Sequence, residues 1–393
     1  MRPASEAERA RLNETFAELC RISSPFGSER VIADDVTARL RAMGLDVEED
    51  DAAGPAQAGA GNLLARITPR ASVAGQAEGE RWILLCAHLD TVEQTAPIDP
   101  VVVDGGWENA NDGILGADNK AGVAVILEVA RRATVEGTPV GIEILFTVAE
   151  ENGLLGAAHF DASRLRSEFG YVFDHATPIG EVVTASPTYY RVGAEFHGRA
   201  AHAGIRPEEG RSAILAAALA IAAMPAGRID AETTANVGSV TGGVGSTNVV
   251  AERARLLAEA RSIDPEKAET TVARMIDAIT DGAATAECDV DITTKRLFSG
   301  YRQRPSSPAV VAAEGALRAC GYEPRRIATG GGSDANALEL AGLPCVNLAN
   351  GTERNHEPTE RVSVAALEGM LDVVLALLDE SAALPVPEPS ATL

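Results

Sequence analysis

The feature that most constrains this chain is a series of short apolar strands that each run out into histidine or acid. Trp82-Ile83-Leu84-Leu85-Cys86 leads to His88 and Asp90. The strand over 142–149 leads to Glu150 and Glu151, and Gly170-Tyr171-Val172-Phe173 leads to Asp174. A helix rich in alanine and aliphatic residues is predicted between them over 120–132. Strands alternating with helices predict an α/β fold with a mostly parallel sheet flanked by helices. In such sheets chemistry collects at the carboxyl ends of the strands. Residues two apart on a strand project to the same side, so His88 and Asp90 can aim at one point.

The 393 residues are enough for two or three domains. The first part reads as helices over 5–20 and 28–43, a strand at 62–67, a solvent loop at 69–81, the strand 82–87, the helix 120–132, the strand 142–149, a helix near 153–160 and the strand 170–173. The pattern changes near 184. A half-exposed strand at 189–197 precedes an alanine-rich helix at 209–224, strands near 235–241 and 252–261, a helix at 265–281 and a strand at 286–297. That βαββαβ order is the ferredoxin-like split unit. Helices at 308–320, 334–341 and 364–380 and a strand at 344–348 then restore the α/β pattern. The expected organisation is a catalytic domain formed by 1–183 and 299–393, with 184–298 inserted as a smaller α+β lid. Two consecutive domains are the alternative. The Pro-rich end, 384–393, reads as a loose tail.

Hydrophobic residues are 46% and charged residues 23% of the chain, a globular balance. No apolar run is long enough for a membrane span, and the first residues lack the apolar core of a signal peptide. The formal net charge of −23 makes nucleic acid and anionic membranes poor partners. Cys20, Cys86, Cys288, Cys320 and Cys345 are scattered and odd in number, which argues against a disulfide framework or zinc ribbon and for a reducing cytoplasm.

Acids at buried strand ends are costly unless solvated, paired or bound to metal. Besides His88, Asp90, Glu150, Glu151 and Asp174, the chain offers Asp118, just before a helix, and His356, after the strand 344–348. Separate solvated loop tips would explain any one of them; several strand ends loaded alike point to one shared site. The inventory suits a pair of divalent cations, each taking a histidine and carboxylates, with one carboxylate bridging. Imidazole suits zinc, and the oxygen-rich remainder tolerates Mn2+ or Co2+. Adjacent Glu150 and Glu151 diverge, so one can bind metal while the other stays free as a base.

His88-Leu89-Asp90-Thr91, Gly116-Ala117-Asp118-Asn119-Lys120-Ala121-Gly122, Glu150-Glu151, Phe173-Asp174 and His356 resemble, in order, the five metal-site segments of the M20 metallopeptidases. Within that family the chain is most similar to the peptidase T and peptidase T-like branch, over nearly its whole length. The resemblance implies a zinc-peptidase-like fold with an inserted lid that also dimerises. It implies two Zn2+ per subunit: His88, Asp118 and Asp174 on one, Asp118, Glu151 and His356 on the other, Asp118 bridging. Asp90 would orient His88 and fix its tautomer. A peptide bond after Asp118 that is cis in many members is also implied. Glu150 would serve as general base to a metal-bridging hydroxide and then protonate the leaving amine. The implied activity is removal of N-terminal residues from short peptides. The alternative is an N-acyl amino acid deacylase or carboxypeptidase on the same scaffold; aspartate at 174 resembles the aminopeptidase, dipeptidase and aminoacylase members. A non-catalytic protein keeping the fold is disfavoured because no ligand position is lost.

In the inserted region His202 reads either as a loop histidine or, by the resemblance, as a residue that stabilises the oxyanion, in some members across a homodimer. Asn248 and Arg261 read as a turn residue and a surface charge, or as substrate-binding residues, arginine suiting a carboxylate. Gly242-Gly243-Val244-Gly245-Ser246-Thr247 lacks the lysine of a phosphate loop. In Gly330-Gly331-Gly332-Ser333-Asp334, the amides of Gly331 and Gly332 could face an anionic substrate end, or the segment could be a tight turn with Ser333 as helix cap. Peptidase T itself has an arginine before the paired glycines where this chain has Thr329, which departs from strict tripeptide specificity. His159, His175 and His197 match no ligand position.

Overall fold

The structure is a computed structural model that describes residues 2–70 and 81–385. Most of the expected 69–81 loop and of the Pro-rich end therefore lies outside the described residues. The chain divides into two compact units, one of residues 1–184, 303–328 and 333–393, the other of 185–302 and 329–332.

In chain order the main elements are α1 (Glu6–Cys20), α2 (Arg30–Ala42), β1 (Leu63–Ile67), β2 (Trp82–His88), α3 (Ala117–Glu136), β3 (Gly141–Thr147), β4 (Phe169–His175) and β5 (Glu181–Ser186). Then come β6 (Thr188–His197), α4 (Ala213–Ala223), β7 (Thr233–Gly242), β8 (Arg253–Ser262), α5 (Pro265–Thr285) and β9 (Asp289–Phe298). The chain ends with α6 (Pro308–Ala319), α7 (Asp334–Leu340), β10 (Cys345–Ala349) and α8 (Val364–Ala383).

The sheet of the first unit runs β1-β3-β2-β4-β10-β5, with Val47–Glu49 outside β1. The four central strands are parallel, so their carboxyl ends share one edge. β1 and β5 pair antiparallel on the flanks. Every residue of β2 and β3 is buried, as a sheet covered on both faces requires. The core joins these strands to α1, α2, α3, α6 and α8 through residues such as Phe16, Val36, Ile83, Ile126, Phe146, Val310 and Leu371.

A second small sheet was not anticipated, because its strands are two to four residues long. Its order is Thr352–Glu353, Arg361–Ser363, Gly106–Asn109, Pro100–Val103. The first two form a hairpin, and its loop, 354–360, carries His356. Two expected boundaries also shift. β3 stops at Thr147, so Glu150 and Glu151 lie on the following turn, where Ala149 has φ 53°. β4 extends through His175, which places Asp174 within the strand.

In the second unit the order β7-β8-β6-β9, all antiparallel, is that of a ferredoxin-like split βαβ unit. Helices α4 and α5 cover one face with Ala216, Ala220, Met275 and Ile279 against Val192, Phe196 and Leu256.

Helix α3 approaches the parallel strands closely at Gly122. A Cβ there would lie 3.1 Å from the Phe173 carbonyl and 3.2 Å from the Ala87 Cβ, and would collide with the Asn119 Oδ1. Gly122→Ala should lower stability by about 1–3 kcal/mol through overpacking, more than the gain in helix propensity returns. Urea unfolding checks this; a midpoint at or above that of the parent would show that α3 shifts freely.

Candidate metal centre

The shared carboxyl edge of β3, β2 and β4 gathers the acids and histidines predicted from the sequence. His88 closes β2. Its Nδ1 donates to the Asp90 backbone carbonyl at 3.0 Å, which leaves Nε2 facing the carboxylates. That Nε2 lies 3.2 Å from Asp118 Oδ1 and 3.6 Å from Asp174 Oδ1. Asp118 presents its other oxygen to His356, with Oδ2 3.4 Å from His356 Nε2, and His356 Nε2 lies 3.0 Å from Glu151 Oε1. Two triads result, His88-Asp118-Asp174 and Asp118-Glu151-His356, beside a third group, His88-Glu150-Glu151, and in each the ligand atoms lie within 4.8 Å of one another. Asp118 belongs to both triads.

The backbone explains how each group arrives. Asp118 and Asn119 are joined by a cis peptide bond and are non-helical within the first turn of α3. Asp174 is fixed by a reciprocal pair: its N–H donates to Asn347 Oδ1, and the Asn347 side-chain amide donates to the Asp174 carbonyl, each at 2.9 Å. Asp90, fully buried, stands 3.6 Å from His88 Nδ1 by its carboxylate. That carboxylate accepts hydrogen bonds from the Glu150 and Glu151 amides, each at 3.0 Å. It thus holds the turn bearing both glutamates, a connection that the expectation for Asp90 did not include.

Charge crowding sets the protonation of the metal-free cluster. Burial, reinforced by Asp174, pushes the Glu150 carboxyl well above its ordinary range. Burial, then Asp118, does the same to Asp174. Asp118, though buried, is held low by its contacts with His356 and His88. Contacts with Asp118 and Glu151 raise His356 to about 10. Glu150 differs from its neighbour in that its carboxylate makes no hydrogen bond among the described residues.

The donor set fits two divalent cations. Imidazole nitrogen with carboxylate oxygens suits zinc, manganese or cobalt, and three protein ligands per triad leave a position open, as in catalytic sites. Two buried oxygens nearby, Asp334 Oδ1 and Asn355 Oδ1, have no hydrogen-bond partner among the described residues, as expected beside a polar group that the chain does not itself supply.

Residues missed in the sequence sit in the same region. Asn355 donates to Asp118 Oδ2 at 2.8 Å. Asp334, at the start of α7, bonds Thr147 Oγ1, and burial raises it to about 6. Glu360 accepts backbone amides at the start of α3, and burial raises it to about 7. The order His356-Glu357-Pro358-Thr359-Glu360 gives no sign of which acid turns inward; that depends on the hairpin.

The remaining candidates lie in the second unit. His202 is exposed, its Nδ1 accepts from the Gly204 amide at 3.2 Å, and it bridges to Val249 beside Asn248. Asn248 accepts the Ser246 hydroxyl. The Arg261 guanidinium lies 4.1 Å over the Tyr189 ring, bonds Glu259 at 3.0 Å and donates to the Gly330 carbonyl at 3.1 Å. This brings Arg261 to the glycine segment. There the Gly331 amide donates to Thr329 Oγ1, and Gly332 packs against Phe298 so closely that a Cβ would collide with the ring. His197 pairs with Asp291, His175 lies 4.0 Å from Glu181, and neither they nor His159 joins a triad.

The sequence profile of peptidase family M20/M25/M40 matches residues 84–380, a span that holds both triads. The chain belongs to this family. Among solved structures it is similar to an aminopeptidase PepT from Bacillus cereus ATCC 10987, at 38% identity and TM-score 0.86 over 95% of this chain and 99% of that one. It is likewise similar to a tripeptidase from Staphylococcus aureus subsp. aureus Mu50, at 36% identity and TM-score 0.89 over 95% and 98%. The uncharacterized protein YqjE of Bacillus subtilis (strain 168) is 37% identical over 373 residues, 95% of this chain and 98% of its own. As an M20 peptidase the chain is a hydrolase of the peptidase class.

His356 held protonated in the metal-free M20 centre has a measurable consequence. A divalent cation must displace that proton, so binding near neutral pH should release protons and weaken as pH falls. Calorimetric titration of Zn2+ in buffers of different ionisation enthalpy reads the number; binding with no proton released would show His356 neutral beforehand.

Proposed function

We propose that this M20 peptidase removes N-terminal residues from short peptides, with Glu150 as general base and two divalent cations held by the triads. The observation that carries the reading is the Glu150 carboxylate: half-buried beside both triads, it makes no hydrogen bond among the described residues, while Glu151 is tied to His356. A general base has to be free to take a proton, and a carboxyl raised above its ordinary range, as Glu150 is by desolvation and by Asp174, holds one more readily. The aminopeptidase and tripeptidase named among its relatives, each matched over almost the full length, support the substrate class.

His88, Asp118 and Asp174 would hold one cation and Asp118, Glu151 and His356 the other, as Zn2+ with Mn2+ or Co2+ as substitutes. Bound there, such ions polarise a scissile carbonyl and lower the pKa of water. Asp90 keeps the His88 tautomer through its own carbonyl and anchors Glu150 and Glu151 through their amides. Glu150 takes a proton from the attacking water as the new C–O bond forms. It then gives that proton to the departing amine as the C–N bond breaks, which returns the carboxylate to its starting state. His202 would donate to the oxyanion. Asn248, Arg261, Gly331 and Gly332 would bind the substrate, Arg261 toward a peptide carboxylate.

We read the second unit as a lid inserted into the catalytic domain and as the dimerisation surface. The sheet face away from α4 and α5 exposes Leu257, an apolar residue that a homodimer would cover. All five cysteines are free, which fits a reducing cytoplasm. No helix among the described residues is long and apolar enough to cross a membrane.

Glu150→Gln should lower kcat by about 100-fold or more while both cations stay bound. Near-normal turnover with full metal content would remove Glu150 as the base. A panel of free tripeptides and their N-acetylated forms tests the substrate: cleavage confined to free amino termini is expected, and preference for the acetylated set would indicate a deacylase.

A further inference from the structure

We infer that Glu360 is a positioning residue for Asp118, acting through the backbone that carries it, so that the hairpin 354–360 fixes the carboxylate common to both triads. The inference rests on the two-cation reading of the centre.

The observation is a convergence of amides. Helix α3 begins after Gly116, which sits in the left-handed region at φ 74° and has no side chain with which to cap it. The first amides of a helix have no partner within it, and here the non-helical Asp118 and Asn119 disturb that turn further. Glu360 supplies the missing acceptor from 242 or more residues away. Its Oε2 accepts the Leu115 and Gly116 amides, each at 2.8 Å, and its Oε1 accepts the Asp118 amide at 2.9 Å. The side chain is 2% exposed, so water cannot take its place.

Only a carboxylate has acceptors on both sides of such a fork. A glutamine would turn an NH2 group toward at least one of the amides. The same hairpin also grips the other end of Asp118, where Asn355 donates to Oδ2 at 2.8 Å and His356 Nε2 stands 3.4 Å away. Asp118 is therefore held by backbone and by side chain from one loop. The loop is braced by its own strands, Thr352 opposite Val362 and Glu353 opposite Arg361. Glu360 belongs to neither triad. It sets where Asp118 stands relative to His356, and hence whether the two triads can share it.

The test uses Glu360→Gln and Glu360→Asp in the full chain. Metal-free protein is titrated with Zn2+, and separately with Mn2+, by calorimetry, and the melting temperature of the metal-free form is measured alongside. The parent should take up two equivalents. Both variants should bind more weakly, by about 10- to 100-fold, as when a residue that orients a ligand is lost. Should Glu360→Gln fail to fold, Glu360→Asp, which keeps the charge but draws it back by one methylene, decides. Variants that bind both cations within twofold of the parent overturn the inference and leave the two-cation reading intact. Unchanged affinity with a lowered metal-free melting temperature also overturns it, since Glu360 would then be merely structural. A parent that binds no cation overturns the two-cation reading and this inference together.

Discussion

The centre depends on one carboxylate. Asp118 faces His88 with one oxygen and His356 with the other, at 3.2 and 3.4 Å, and no other residue enters both triads. Around it Asp174, Glu150 and Glu151 are packed at the carboxyl edge of a buried sheet. Burying so many carboxylates without compensation is unfavourable, and the metal-free cluster answers by holding protons: Glu150, Glu151 and Asp174 are raised, and the histidines are raised with them. A site in that state favours any divalent cation that can replace those protons. The chain's net charge of −23 adds to the same field at longer range.

Such crowding persists only if the backbone is fixed from outside. Each of these segments is held by a side chain from another element: Asp90 holds the amides of Glu150 and Glu151, Asn347 holds Asp174, and Glu360 holds the amides of Leu115, Gly116 and Asp118. Three non-glycine residues at or next to these groups, Ala149, Arg354 and His356, sit in the left-handed region at φ 53°, 57° and 68°. That conformation costs of order 1 kcal/mol or more per residue and survives where the surroundings over-determine it. Here the over-determination is visible as hydrogen bonds and short strand pairings.

The sequence made the parallel strands and their polar ends legible because both rest on local patterns. Apolar runs gave β2 and β3, and the acids following them gave the candidate ligands. The βαββαβ order of the second unit was readable for the same reason. The short strands at 100–103, 106–109, 352–353 and 361–363 carry too few residues for a period to show, so their sheet was invisible. The inward turn of Glu360 was invisible with it, since nothing local separates it from the exposed Glu357. Asp90 shows another limit. Spacing placed it beside His88, but its carboxylate bonds amides 60 and 61 residues away, a relation set by the pairing of β2 with β3.

Glu150 and Glu151 show how environment divides what sequence presents as equivalent. They are adjacent, chemically identical and anchored through their amides to the two oxygens of one carboxylate. Yet Glu151 reaches His356 at 3.0 Å, while Glu150 is more strongly raised and its carboxylate stays unbonded. Both sit on the turn after β3, where adjacent side chains point in different directions. One shared anchor and two divergent side chains are what the proposed division into a ligand and a base requires of a repeated residue. The same logic runs paired carboxylates in other hydrolytic sites, where surroundings push two like groups apart in pKa. The placement of both glutamates depends on Asp90, since moving that anchor would shift the two side chains together.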